Sequence, residues 1–185
     1  TRFSILSSFT CLVISLIVLP KAGVRAASAI SLQKSAAPRT GNVVVGFEFT
    51  ISTPITVTHL GQFDVNQDGK FPRPVEVALW NNANRSLVTS ATIPAGTHTT
   101  PSEGCFYAPI NPVKLPPGVY VLALQVFSDG EGYVQEATIR TAPGITWRNG
   151  RFRSGSALEF PSTIRRDTPS YFGPNFKFTS DAPLT

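Results

Sequence analysis

Val45-Gly46-Phe47-Glu48-Phe49-Thr50-Ile51 decides the fold class. Large apolar side chains fall at every second position; a glycine, an acid and a hydroxyl fill the gaps. Successive side chains of a strand point to opposite faces, so the stretch reads as a strand with one buried and one wet face. Ile55-Thr56-Val57-Thr58 repeats the pattern beyond Pro54. Val75, Val77 and Leu79 then point one way, and Glu76, Ala78 and Trp80 the other. Leu87–Ile93 is entered through the turn Asn81-Asn82-Ala83-Asn84 and closed by Pro94-Ala95-Gly96. Pro116-Pro117-Gly118 leads into Val119–Phe127, which is apolar on both faces and is expected at the centre of a sheet. Cys105–Ala108, Ala137–Arg140, Ala157–Phe160 and Phe176–Thr179 complete about nine short strands separated by Gly, Pro and Asn turns. No helical period interrupts them. The expected fold is all-β: an antiparallel β-sandwich, jelly-roll-like, preceded by a helical signal segment.

That segment is residues 1–26. Arg2 leads into an apolar run, Phe3–Pro20, followed by Lys21-Ala22-Gly23-Val24-Arg25-Ala26 and then Ala27-Ser28. A positive start, an apolar middle and a small-residue end make a secretory signal peptide, with cleavage expected after Ala26. A membrane anchor is the rival reading. The run is near the lower length limit for a span and carries Ser4, Ser7, Ser8, Thr10 and Ser15, which favours cleavage. Residues 27–41 are small and polar and read as a flexible lead; the folded domain is expected over 42–185.

Removing the signal changes the bulk picture. The chain has 16 basic and 11 acidic residues, a net charge of +5. Arg2, Lys21 and Arg25 leave with the signal and no acid does, so the remainder is close to neutral. Charge therefore gives no argument for nucleic acid, and no membrane contact is expected once the signal is cut. The two cysteines are Cys11 and Cys105. Cys11 lies in the signal, so an intramolecular disulfide is excluded and the core has to hold the fold. Cys105, beside Phe106 and Tyr107, reads as a buried small apolar residue.

Asp64-Val65-Asn66-Gln67-Asp68-Gly69-Lys70 matches the first half of a helix–loop–helix calcium loop. Oxygen side chains at alternate positions converge on one hard cation, and glycine permits the sharp turn after them. A Lys70 carbonyl would add a ligand. The second half departs from the pattern: Val75 stands where a bidentate acid belongs, Glu76 is one residue late, and Pro72 and Pro74 exclude the following helix. Two readings compete. One is a Ca2+ site of Asp64, Asn66, Asp68 and the Lys70 carbonyl, closed by Glu76 or another loop; the other is a plain polar hairpin tip.

The two histidines, His59 and His98, are far apart and have no metal-ligand spacing, and the chain shows no nucleophile elbow or phosphate loop. No catalytic residue is assigned, and the protein is expected not to be an enzyme. Arginines gather late, with Trp147, Arg148, Arg151, Phe152 and Arg153 close together. Guanidinium forks suit carboxylates and sulfates, and exposed aromatics stack on sugars. Trp80, turned away from Val75, Val77 and Leu79, is a further candidate platform. The alternative is that these are solvated strand faces. Asn84-Arg85-Ser86 is a glycosylation sequon, meaningful only in a eukaryotic secretory pathway.

Four stretches taken together carry a resemblance. They are Gly46-Phe47-Glu48-Phe49-Thr50 running on to Ser52-Thr53-Pro54-Ile55-Thr56-Val57; Leu60-Gly61-Gln62-Phe63-Asp64 with Val77-Ala78-Leu79-Trp80; Ala91-Thr92-Ile93-Pro94-Ala95-Gly96; and Tyr171-Phe172-Gly173-Pro174-Asn175-Phe176. The set resembles an uncharacterised β-sandwich domain of bacterial secreted proteins, of the kind often followed by a PEP-CTERM sorting tail. The resemblance implies export and a surface or matrix role, and transfers no catalytic residue. No Val-Pro-Glu-Pro motif of such a tail occurs up to Thr185. The expectation is an exported, non-catalytic module, free or held at the cell surface, with calcium as a stabilising cofactor and a polysaccharide or matrix component as partner. A carbohydrate-binding module for anionic polysaccharide is the alternative, and a secreted hydrolase the third.

Overall fold

The computed structural model describes residues 26–34, 38–97, 101–155, 157–166 and 170–180. The expected signal segment up to Arg25, with Cys11, lies outside the described residues, as does His98. The strands, in chain order, are β1 (Ala27–Ser28), β2 (Ile30–Lys34), β3 (Val43–Ile51), β4 (Ile55–Phe63), β5 (Lys70–Phe71), β6 (Val75–Asn81), β7 (Leu87–Ile93) and β8 (Gly96–Thr97). They continue as β9 (Cys105–Leu115), β10 (Gly118–Val126), β11 (Val134–Gln135), β12 (Thr138–Thr141), β13 (Ile145–Ser154), β14 (Thr163–Arg165), β15 (Ser170–Phe172) and β16 (Pro174–Ser180). No helix occurs among the described residues.

Two antiparallel sheets carry the fold. One has four strands in the order β1-β16-β4-β9, the other six in the order β14-β13-β3-β10-β6-β7. Three two-stranded ladders, β11-β15, β12-β2 and β5-β8, complete the pairing. The alternation in Val45–Ile51 places Val45, Phe47, Phe49 and Ile51 in the core, where they meet Leu122, Leu124, Val77 and Leu79 of the same sheet and Val57, Leu60, Phe176 and Phe178 of the other. Phe49 and Phe176 join the sheets directly, their ring centroids 5.1 Å apart. Each such fully buried phenylalanine contributes about 2–3 kcal/mol by removal from water. Gly46 lets β3 and β10 approach: a Cβ there would lie 2.0 Å from the Leu122 carbonyl oxygen.

Three sequence expectations are corrected. Within the lead expected over 27–41, Ala27–Lys34 is not loose: Ala27 and Ser28 pair with Phe178 and Lys177, β2 pairs with β12, and Ala29 and Ile30 are core residues. Small, polar composition concealed two strands that depend on distant partners. The segment Ala157–Phe160, expected as a strand, is an irregular strap. Conversely, Ile145–Ser154 is a ten-residue strand that the pattern did not reveal. A bulge at Arg148 shifts its register between Trp147 and Asn149, which breaks the period of two.

The six-stranded sheet has an unusual outer face. Val44, Ala78, Trp80, Val121 and Ala123 form a second apolar cluster there, covered by Leu158 and Phe160 of the strap. The outer face of a two-sheet antiparallel fold is ordinarily polar.

Candidate functional site

The loop after β4 folds back on its own carboxylates. Asp64 is 3 % exposed, and its Oδ2 accepts a hydrogen bond from the Gly69 N–H at 3.0 Å. Asp68 Oδ1 accepts from the Lys70 N–H at 2.9 Å. Gln67 takes the left-handed conformation, φ 57°, and Gly69 does so at 71°. Asp68 and Lys70 are exposed, as is Asn66. The loop is anchored at its base, where the Asp64 N–H donates to the Gly104 carbonyl at 2.8 Å.

The acid that closes the loop is Glu131, far along the chain in the segment between β10 and β11. It is 2 % exposed; its Oε1 accepts from the Val65 N–H at 2.7 Å and the Asn66 N–H at 3.2 Å, and its Oε2 from Asn66 Nδ2 at 3.2 Å. Burial pushes the Glu131 carboxyl above the usual range, and the nearby carboxylates of Asp64 and Asp68 push it further. The two backbone N–H bonds pull the other way. Three acids thus repel across one loop.

Two buried oxygens here lack a partner. Asp64 Oδ1 has none, and neither has Oε1 of the fully buried Gln62. Strand alternation places Gln62 and Asp64, two residues apart, on the same side of the chain. Gln62 Nε2 donates to the Gly132 carbonyl at 2.9 Å, which ties it to the segment that carries Glu131. A buried acceptor without a donor costs about 1–3 kcal/mol and calls for an ion or a water. As the side chains stand, no three His, Cys, Asp or Glu among the described residues are gathered closely enough to hold a metal. The oxygens present are nevertheless the hard, anionic donors that calcium takes.

Glu76 does not join this group. It is exposed on β6, on the outer face of the six-stranded sheet with Ala78 and Trp80. The sequence could not supply Glu131, because Ser128-Asp129-Gly130-Glu131-Gly132 reads as a turn and its distance from the loop is set only by sheet packing.

The aromatic and arginine candidates divide between two faces. Trp147 pairs across from Phe49 on the inner side of β13, half-buried, with its Nε1 unpartnered and its ring 6.4 Å from Phe172. Arg151 and Arg153 lie across from Gly46 and Val44, on the outer side. Trp147 therefore lies on the opposite face of β13 from Arg151 and Arg153. Trp80 is 4 % exposed, with the Phe160 ring edge-on to it at 6.2 Å, so it is no open platform either. Arg151, 5 % exposed, pairs with Glu48 and donates to Asn82 Oδ1 at 2.7 Å. Arg148 reaches the same Glu48 from the bulge at 3.3 Å, while Arg153 pairs with Glu159 at 2.6 Å.

The remaining candidates are quiet. Burial pushes the Cys105 thiol up to about 11, with Asn175 Nδ2 3.5 Å from the sulfur, so it is a buried thiol and a poor nucleophile. His59 shares a hydrogen bond with Thr58 Oγ1 at 2.9 Å; burial and then Lys177 lower its basicity. A shallow groove of about 350 Å³ opens beside β1, lined by Ser28, Ser102, Glu103 and Lys177 among others.

No family model matches the chain, and a search of curated proteins finds no match.

Proposed function

We propose that the protein is an exported, non-catalytic β-sandwich of jelly-roll type with a structural role at the cell surface or in the extracellular matrix, stabilised by calcium at the β4–β5 loop. The observation that carries the calcium reading is Asp64 Oδ1, buried and unpartnered, in a loop where Asp68 and the buried Glu131 add two further carboxylates. A divalent cation would neutralise the mutual repulsion and supply the missing partner. Asp64, Asp68 and Glu131 would hold it, with the Gln62 and Asn66 side-chain oxygens and the Lys70 carbonyl as neutral ligands. The ion would cross-link the β4–β5 loop to the β10–β11 segment at one end of the two sheets. An exported module fits this, because extracellular calcium is high enough to fill weak sites.

Calorimetric titration with calcium chloride, paired with thermal unfolding in calcium and in EGTA, tests the reading. Heat of binding with a raised midpoint is expected. No heat and an unchanged midpoint would sink the cation site.

A further inference from the structure

The geometry points to a second ligand site, for an acidic oligosaccharide, on the outer face of the six-stranded sheet beneath the strap that joins β13 to β14. It is independent of the calcium reading.

The floor of this site has almost no side chains. Gly46, Ala123 and Ala78 stand abreast on β3, β10 and β6. They make a trough across the middle of the sheet, and Phe160 and Leu158 sit over it. Trp80 forms one wall; Arg151, with Glu48 and Asn82, forms the other. Aromatic rings stack on the apolar faces of pyranoses, and guanidinium groups take their carboxylates or sulfates.

Two buried donors on this face lack acceptors: Arg151 Nε and Gln125 Nε2. Both residues are more than nine-tenths buried, at 5 % and 6 % exposure. Gln125 lies across from Val44, and Arg151 across from Gly46 on the other side of β3, so the two donors flank the trough. At these atoms both groups can only donate, and neither donation is made. A sugar would bring hydroxyl and carboxylate oxygens to accept them.

Charge selects the class of sugar. Arg85, Arg148, Arg151 and Arg153 border the site. The sheet itself places two acids on this face, Glu48, already neutralised by Arg151, and the exposed Glu76. The other carboxylate here, Glu159, belongs to the strap and sits on Arg153 at 2.6 Å. Consecutive strap residues therefore put a carboxylate on an arginine and a ring against Trp80, which is what an acidic pyranose would do.

The strap is lightly held. Its residues 157–162 form no ladder with the sheet. Its hydrogen bonds to β13 side chains are long: Arg153 Nη1 to the Ala157 carbonyl and Arg151 Nη1 to the Ser162 carbonyl, both at 3.5 Å. The Arg153–Glu159 pair is exposed to solvent and worth little. Leu158 and Phe160, both only partly buried, are its apolar contacts over the trough, and Pro161, next in the chain, is buried. Segments with few buried contacts and few backbone bonds open locally well before the fold is lost.

The test titrates the full chain, in EGTA throughout, with three short sugars: an oligogalacturonate, a sulfated dextran oligomer and a neutral cello-oligosaccharide. Tryptophan fluorescence and calorimetry are the readouts, with Trp80→Phe to assign the quench. Wild type is expected to bind one or both acidic sugars and not the neutral one; the two acidic arms tell carboxylate from sulfate. Leu158→Ala/Phe160→Ala unseats the strap and is expected to tighten binding about tenfold or more, because the competent state no longer has to be opened. Glu159→Gln, which removes no apolar contact, is expected to tighten it a few-fold and decides the matter alone if the double variant does not fold. Equal binding of the neutral sugar, or no acidic sugar bound more tightly by Glu159→Gln than by wild type, overturns the proposal.

Discussion

Replacing Glu131 with Gln separates the two things this residue does. Its two carboxylate oxygens accept from the Val65 and Asn66 N–H groups and from Asn66 Nδ2, contacts that a Gln keeps once the exposed Asn66 amide turns over, and it adds a third negative charge beside Asp64 and Asp68. In EGTA the variant is expected to melt at or above wild type, because a buried charge among like charges has been removed. In calcium the order reverses. Two orphaned oxygens, on Gln62 and Asp64, each cost about 1–3 kcal/mol while unpaired. A cation that satisfies them restores about 2–6 kcal/mol, comparable to the ~2.7 kcal/mol that any ligand contributes at a hundred times its Kd. For a chain of this size, at about 2–4 °C per kcal/mol, that is a rise in Tm of roughly 4–24 °C in wild type and almost none in Glu131→Gln. The pH dependence has a definite sign. The folded state raises the Glu131 pKa, so in EGTA this group's contribution is full below its unfolded value of about 4.3 and is lost as pH rises through the folded value. Calcium or the Gln variant flattens that slope. Circular-dichroism melts of both proteins across pH, with and without calcium, read all of this. A wild-type midpoint indifferent to calcium, or a full calcium shift in Glu131→Gln, refutes the reasoning.

Arg151→Ala leaves Glu48 buried with only the half-exposed Arg148 beside it, and is expected to cost about 3–5 kcal/mol in denaturant unfolding. Adding Glu48→Gln to that variant should recover much of the loss, and an additive double variant would argue against a coupled pair. Cys105, in a Cys11→Ser background, should resist thiol reagents at pH 8 while the fold holds and react once it opens, at a rate that follows global unfolding. Ile30→Ala, within the segment that composition reads as a loose lead, should cost about 2–4 kcal/mol, whereas a true tail would show no change in midpoint. Gly46→Ala should prevent β3 and β10 from pairing and leave little folded protein, as judged by yield and by near-ultraviolet dichroism.

What could be read without coordinates was local. Period-two alternation in Val45–Ile51 and in Val75–Trp80 assigned each side chain to its face, because a strand's pleat alone sets that choice. Asp64, Asn66 and Asp68 were legible as a candidate cation loop because the oxygens lie within one turn of chain. The expectation failed wherever the deciding partner is remote. Ala27–Lys34 is ordered only by β16 and β12; the Arg148 bulge hid β13 because register depends on the neighbouring strand. Whether Trp80 is open or covered rests on Phe160, half the chain away. Glu131 and the loop it faces meet only after both sheets have packed. Composition and pleat fix which face a residue takes, but which residues share a site depends on strand order, and strand order is decided by the burial of the whole core.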